Sequence, residues 1–178
     1  MDADLNECTE RDTSVAAAPE APFAPAAAAA GPQGRMEATH LLVRAGEYVC
    51  ALPLGAVRQV LRSLPLHPLP GSAPELKGLA EFAGDPLPVL DLARLARAPQ
   101  GANPVFPVTV VAWAGPPESR ELVGLAADAA LDVATLPAAA VVPAAPGSGG
   151  HGGLVAGEAI VAGQVVRVIN LQALGQAS

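Results

Sequence analysis

The stretch Gly78-Leu-Ala-Glu-Phe-Ala-Gly-Asp-Pro-Leu-Pro-Val-Leu-Asp-Leu92 is repeated 79 residues later as Gly157-Glu-Ala-Ile-Val-Ala-Gly-Gln-Val-Val-Arg-Val-Ile-Asn-Leu171. Each copy has two apolar runs around an Ala-Gly pair, and each ends in a short polar side chain followed by leucine. Seven positions are identical when the alignment is extended by three residues: Gly78, Ala80, Ala83, Gly84, Val89, Leu92 and Leu95. Two copies indicate two similar half-domains, because a solenoid needs more and shorter repeats.

Short apolar runs separated by Gly and Pro continue through the whole body of the chain, residues 36–178. This rhythm is typical of small antiparallel barrels. It predicts four strand pairs, at 41–44 with 48–52, 76–82 with 87–92, 108–113 with 122–127, and 154–162 with 165–171. Each half would be a barrel of about 70 residues, which is marginal alone and is expected to pack on its twin.

One short helix is predicted after the first strand pair. Apolar residues recur there at helical spacing after Pro53, which is well suited to open a helix. They are Leu54, Val57, Val60, Leu61 and Leu64.

Four short polar side chains also have predicted structural roles. Asp91 and Asn170 stand where a strand gives way to a helical turn, so we expect them to cap the first free amides. Asp128 and Asp132 are four residues apart in an Ala-rich stretch. That stretch favours a solvated face with a short helical turn over a site built on paired carboxylates.

The first 35 residues differ in composition from the rest. Ala, Pro, Glu and Asp dominate them, and such a segment cannot bury enough apolar area to offset the entropy of ordering it. We therefore predict a disordered Ala/Pro-rich acidic tail over 1–35, more often a solvated spacer than a docking motif, followed by a folded domain over 36–178.

Charge and composition exclude several classes of protein. Lys and Arg total 10 against 17 Asp and Glu, a formal charge of −7, and there are five aromatic residues. Nucleic acid binding is therefore not expected. No apolar run is long enough to span a bilayer, and the acidic, proline-interrupted N-terminus does not match an export signal. Together with two widely separated cysteines, this predicts a cytoplasmic protein without direct membrane insertion.

No catalytic or metal-binding constellation is recognisable in the sequence. His40, His67 and His151 have no partner at ligand spacing, and the glycine-rich run 147–153 lacks the Lys and Ser or Thr of a phosphate-binding loop. Cys50 alternates with neighbouring strand residues as a buried small hydrophobe would. We expect no catalytic residue, no metal and no cofactor, and therefore a binding protein.

The order of motifs resembles the CheW-like domain of bacterial chemotaxis adaptor proteins. Six pieces carry the resemblance in the family's order and spacing: Ala51-Leu-Pro-Leu-Gly-Ala-Val-Arg-Gln-Val60, Leu69-Pro-Gly71, Leu76-Lys-Gly78, Gly84 with Pro88-Val-Leu-Asp-Leu92, Val123-Gly-Leu-Ala-Ala-Asp128, and 165–171. No single piece is specific, but together they cover nearly the whole body of the chain.

The resemblance implies a mainly β fold, with two SH3-like five-stranded barrel subdomains packed around a shared hydrophobic core and short helices. It also implies a non-catalytic scaffold. Such adaptors couple the regulatory domain of a CheA-type histidine kinase to the cytoplasmic tip of methyl-accepting chemoreceptors. The protein would then lie in the cytoplasm, at membrane-associated receptor arrays.

A groove for the receptor helix between the two barrels is also implied by the resemblance. Position by position, it would use residues of four segments of this chain, and a small residue would allow close approach of the helix. The positions are Val57, Gln59, Gly78, Val108 and Val133, with Ala83 at the place of a receptor-contacting arginine. Ordinary core packing is an equal alternative for Val57, Val108 and Val133.

One departure from the family pattern concerns the turn of the repeat. Where the family reads Asn-Leu-Arg-Gly, this chain has Glu81-Phe82-Ala83-Gly84. A methyl group cannot replace the bidentate guanidinium, and Glu81 adds a negative charge. A diverged adaptor of a non-flagellar chemosensory pathway, binding only one of the usual partners, is therefore an alternative function. A small-molecule-binding barrel is a second alternative, although so small a barrel is filled by its own side chains.

Overall fold

A computed structural model describes residues 37–101, 105–145 and 153–174. The predicted tail and the histidine of the glycine-rich run lie outside the described residues. Eleven strands form most of the described chain: β1 Glu37–Ala45, β2 Tyr48–Pro53, β3 Val57–Arg62, β4 Leu76–Phe82, β5 Asp85–Asp91, β6 Val108–Ala114, β7 Glu121–Ala127, β8 Ala129–Pro137, β9 Val142–Pro143, β10 Val155–Val161 and β11 Gln164–Ile169.

Helical structure among these residues is short. One α-helical turn, α1, covers Leu92–Leu95, and 3₁₀ turns cover Leu54–Ala56, Ala138–Ala140 and Leu171–Ala173. None of the described helices is long and apolar enough to cross a membrane. The fold is therefore mainly β, as the sequence predicts.

The strands form two sheets. The first has the order β8-β1-β2-β11-β10-β9, and the second has the order β3-β6-β7-β5-β4. We call them, with their turns, the first half and the second half. In chain order β3 leaves the first half to join the second, and β8 returns from the second half to the first. Each half therefore contains an edge strand that follows directly on a hairpin of the other.

All four predicted strand pairs are present as antiparallel hairpins. In two of them, Phe82 lies opposite Asp85 and Val161 lies opposite Gln164, so each turn has two central residues. Both central residues of each turn have positive φ, namely Ala83 at 55° with Gly84 at 88°, and Ala162 at 49° with Gly163 at 80°. This is the turn geometry that matches the twist of paired strands.

The predicted helix after Pro53 is wrong. Only Leu54–Ala56 forms a 3₁₀ turn, and Val57–Arg62 is strand β3, paired with β6. The pattern Val57-x-x-Val60-Leu61 fits a helix face, but an exposed edge strand needs no strict alternation of apolar and polar residues. Hydrogen bonding to β6 makes this segment a strand.

The predicted helical turn around Asp132 is also wrong. Asp132 lies in the nine-residue strand β8, opposite Leu42 of β1, with a register shift beside it. The Ala-rich composition concealed a strand that contains Val133 and Thr135, both β-branched.

The sequence repeat corresponds to equivalent elements of the two halves. In the second half β5 pairs in parallel with β7, placing Val89 opposite Gly124. In the first half β11 pairs in parallel with β2, placing Val168 opposite Ala51. The end caps also repeat, because Asp91 Oδ1 accepts from the Arg94 amide at 3.1 Å and Asn170 Oδ1 accepts from the Gln172 amide at 3.1 Å. The prediction that both residues are caps is confirmed.

Each half has a connection that brings its edges together. After β3, His67 and Leu79 of β4 exchange two backbone hydrogen bonds of 2.8 and 2.9 Å. After β8, the chain forms β9, which pairs with β10. In each half, the segment after one edge strand thus runs to the opposite edge of the same sheet. Connections of this kind bring the two edges of a small barrel together.

Three clusters of buried side chains fill the described structure. One lies within the first half and includes Leu42, Val49 and Val166, and another lies within the second half and includes Leu87 and Val111. The largest cluster is shared by both halves, and its members include Leu41, Val43, Leu52, Leu92, Val110, Leu125, Leu154, Ile169 and Leu171. Along β1, β2, β6 and β7, successive side chains alternate between two buried places. One is the interior of the strand's own half, and the other is the shared core. These strands therefore read as continuous apolar runs.

Candidate functional site

Four exposed large apolar side chains lie on or beside the two strands that are exchanged between the halves, and five others of the described residues lie elsewhere: Leu69, Val105, Val142, Ile160 and Val165. Val60 of β3 is 41% exposed and Val133 of β8 is 49% exposed, while Leu54 and Leu131 beside them are 38% and 42% exposed. Accessible apolar groups that form one contiguous patch mark sites of protein interaction, whereas single ones are ordinary. We call these four side chains the exposed apolar set.

β3 and β8 are edge strands, and each pairs with a strand that contributes to the shared core. β3 is the edge strand beside β6, and β8 is the edge strand beside β1. Both β1 and β6 contribute side chains to the shared core. The groove that the resemblance implies between the halves stays a prediction.

The predicted groove residues on β3 and β6 differ in how far their side chains are buried. Val57 and Val108 are half-buried and pack against the shared core, whereas Gln59 is exposed. Val57 lies opposite Ala112, and Val108 lies opposite Arg62 at the other end of the β3–β6 pair. Both valines can therefore contribute to the core and to a groove beside it.

Val133 lies in the middle of β8, opposite Leu41 of the shared core. The Val133 amide donates a hydrogen bond of 2.7 Å to Asp132 Oδ1. This bond occupies a donor that an edge strand would otherwise offer to another chain. The side chain of Val133 remains exposed, so β8 is suited to contacts through side chains.

The backbone around residue 78 requires glycine at that position. Gly78 is buried, its φ is +147°, and a Cβ there would lie 2.5 Å from the His67 carbonyl oxygen. Gly157, its partner in the repeat, approaches the Val142 carbonyl in the same way. The close approach that needs a small residue is thus made within the chain, and a receptor contact at Gly78 stays a prediction.

Ala83 is exposed at the tip of the β4–β5 hairpin. β4 is the edge of the second sheet opposite to β3 in the order of hydrogen-bonded strands. The structure therefore gathers Val57, Gln59 and Val108 on the β3–β6 pair and places Gly78 and Ala83 on another hairpin.

Sequence reasoning missed Leu54, Val60 and Leu131 as members of an exposed surface. The helix expected over 53–64 assigned Leu54 and Val60 to a buried face, and the turn expected near Asp132 concealed Leu131. The β-branched content of 57–60 and 133–135 was a usable strand signal. It could not reveal exposure, which depends on both strands lying at sheet edges.

The buried polar groups do not form a reactive centre. Burial raises the pKa of the Cys50 thiol from 9.0 to about 12, against a smaller opposite effect of Arg167, so the thiol stays neutral near pH 7. His40 is buried and its Nδ1 lies 2.8 Å from the Ala38 carbonyl. Within the described ranges, no group of three His, Cys, Asp or Glu side chains could hold a metal ion.

Comparison with known proteins agrees with this architecture. The family model described as CheW-like domain matches residues 39–178. Among solved structures, the scaffolding protein TtCheW from Thermoanaerobacter tengcongensis superimposes with a TM-score of 0.67 at 17% identity, and the match covers 80% of this chain and 95% of that chain. At this identity the likeness shows the fold alone. The search of curated protein sequences gives no match.

The family match covers more than half of the chain and includes both halves of the fold. It agrees with the repeated hairpins, the exchanged strands and the shared core described above. The chain therefore belongs to the CheW-like domain family.

Proposed function

We propose that this protein is a non-catalytic adaptor that couples chemoreceptors to a CheA-type histidine kinase in bacterial chemosensory signalling. The scaffold family to which the chain belongs supports a chemotaxis adaptor role. The observation that carries the proposal for this chain is the exposed apolar set on β8, on β3 and in the 3₁₀ turn before β3. Its partners are the kinase regulatory domain and the cytoplasmic tip of a methyl-accepting receptor.

The surface suits a helical partner. An amphipathic helix binds by laying its apolar face into a hydrophobic groove. Val133 and Leu131 offer apolar contacts on β8, Val60 offers one on β3, and Leu54 offers one in the 3₁₀ turn before β3. Gln59, exposed on β3, can hydrogen-bond to polar groups at the edge of such a helix. We propose the cytoplasm, at receptor arrays, as the place of action.

A second candidate function is that of a diverged adaptor that binds kinase but not receptor. The observation that favours it is Ala83, whose methyl group stands exposed at the hairpin tip where the resemblance implies a receptor-contacting arginine. Glu81, also exposed, adds a carboxylate two residues earlier. Together they weaken any contact with an acidic receptor surface.

Binding of the full chain to the two partners, measured separately, tests the proposal. The partners are the regulatory domain of a CheA-type kinase and the receptor tip from the same host. Val133→Asp puts a charge into the exposed apolar set, and Ile160→Asp is the matched control, because Ile160 is 73% exposed on β10 outside that set. We expect Val133→Asp to weaken receptor binding at least tenfold, and Ile160→Asp to leave it unchanged. No binding of either partner by the natural chain would contradict the proposal.

Restoring the arginine distinguishes the two candidate functions. Ala83→Arg adds the guanidinium at a turn residue with φ of 55°, and Ala162→Arg adds it at the equivalent turn of the repeat, with φ of 49°. Neither change adds backbone strain at its turn, because the alanine that it replaces already has a Cβ. The two variants are therefore matched. Receptor binding only by Ala83→Arg identifies a single-partner adaptor. Receptor binding by the natural chain supports the coupling function.

A further inference from the structure

A pocket of about 480 Å³ lies between the β6–β7 hairpin end of the second half and Leu174, which follows the last strand of the first half; none of the six predicted groove residues lines it. Its apolar lining comes from Leu76, Leu90, Ala114, Val123 and Leu174, and the carboxylate-bearing Glu121 also lines it. Ala114 and Val123 belong to the shared core. The pocket is thus one end of that core, reached from the surface.

The repeat identifies the corresponding place in the first half. Arg167 is the counterpart of Pro88 in the aligned sequences. Tyr48 is the counterpart of Glu121, because Tyr48 pairs with Ala45 in the β1–β2 hairpin as Glu121 pairs with Ala114 in the β6–β7 hairpin. The two ends of the shared core can therefore be compared residue by residue.

In the first half this place is closed by an arginine. The Arg167 guanidinium stacks on the Tyr48 ring at 3.7 Å, and its Nη1 donates to the Ala96 carbonyl at 2.8 Å. Its Nε lies 3.4 Å from Glu158 Oε1. The segment after α1 continues over the β1–β2 turn, where the Glu47 amide donates to the Pro99 carbonyl at 3.3 Å.

In the second half the arginine is missing and a carboxylate faces the space. Pro88 and Glu121 both line the pocket. Glu121 is exposed, and its side chain has no ion-pair partner in the part of the chain that the structure describes. The site thus combines an apolar floor with an unpaired negative charge, which complements a cation on an apolar stem.

We propose that this pocket binds an arginine side chain of a partner protein. The arginine stem packs against Pro88 and Leu90, and the guanidinium pairs with Glu121. Arginine is preferred to lysine because its planar fork can pair with a carboxylate through two hydrogen bonds. The interaction does not depend on the groove at β3 and β8.

The test uses the full chain labelled with ¹⁵N and the synthetic peptide acetyl-Ala-Ala-Arg-Ala-Pro-amide, with its Arg→Gln analogue as a control. The arginine peptide is expected to shift the amide signals of Gly115, Glu121 and Val123 and to bind more tightly than the analogue. Glu121→Gln should weaken its affinity by about threefold to fivefold, the range of a partly exposed ion pair. Glu118→Gln should leave the affinity unchanged, because Glu118 is an exposed acid of the turn before β7 that does not line the pocket.

A substitution within the chain gives an independent check. Pro88→Arg supplies the residue that the first half has at this place, so it should occupy the pocket and abolish peptide binding. Each of the following results overturns the proposal: no shifts at millimolar peptide, equal affinity for both peptides, or equal effects of Glu121→Gln and Glu118→Gln. Binding only after removal of residues 175–178 also overturns it, since the chain itself would then be the occupant.

Discussion

The contact between Gly78 and His67 predicts that Gly78→Ala strongly destabilises the protein. The added Cβ would lie 2.5 Å from the His67 carbonyl oxygen and 3.0 Å from its carbon, in a backbone with φ of +147°. A residue with a Cβ in that conformation costs about 1–3 kcal/mol. Moving His67 away also weakens its two hydrogen bonds with Leu79, of 2.8 and 2.9 Å, at roughly 1 kcal/mol each.

Together these effects predict a loss of about 3–5 kcal/mol in the free energy of unfolding, a large part of the stability of an ordinary domain. Urea unfolding followed by circular dichroism measures it. Gly55→Ala is the matched control, because nothing lies within 4 Å of its added Cβ. Gly84→Ala isolates the backbone term, with φ of +88° and open space, and should cost about 1–2 kcal/mol. A loss for Gly78→Ala no greater than for Gly84→Ala would refute the close-approach argument.

Substitutions at three further positions test a backbone conformation, a side-chain contact and a buried thiol. Ala83→Asn should raise the free energy of unfolding by about 0.5–1 kcal/mol, because Asn tolerates the left-handed φ of 55° that Ala83 adopts better than Ala does; an unchanged urea midpoint would contradict this. Arg167→Met should lower it by about 1–2 kcal/mol, since it removes the bond to Ala96 and the stacking on Tyr48; Arg167→Lys should recover little of the loss, and full recovery would argue against the stacked geometry. The Cys50 thiol, whose pKa is raised from 9.0 to about 12, stabilises the fold fully below pH 9 and loses that contribution as the pH rises towards 12. The natural protein should therefore lose stability over this window faster than Cys50→Ala, by up to about 1.4 kcal/mol per pH unit, and parallel pH profiles would disprove the linkage.

The hairpins were predictable because their signals are local. Turn residues such as Ala83-Gly84 and Ala162-Gly163 stand between apolar runs, and the repeat shows the same pattern twice. The caps Asp91 and Asn170 were predictable for the same reason, since a cap acts on amides two or three residues away. Packing of the halves on each other was predicted from their small size, and the shared core was implied by the resemblance.

The exchange of β3 and β8 between the halves could not be predicted from local patterns. Both strands pair with hairpins distant in sequence, as when Leu41 meets Val133. Such long-range pairing overrides the helical spacing of 54–64 and the Ala-rich composition near Asp132. The predicted groove residues came from the resemblance, and the exposed positions Leu54, Val60 and Leu131 emerged only from the edge position of their strands.

The most direct test of the adaptor proposal is the affinity of the full chain for a kinase regulatory domain and for a receptor tip of the same host, measured by isothermal titration calorimetry. The natural chain is expected to bind both with micromolar or tighter affinity, with receptor binding lost in Val133→Asp and kept in Ile160→Asp. Binding of the kinase alone would identify the diverged single-partner adaptor. Failure to bind either partner, or equal losses in the two variants, would contradict an adaptor that works through β3 and β8.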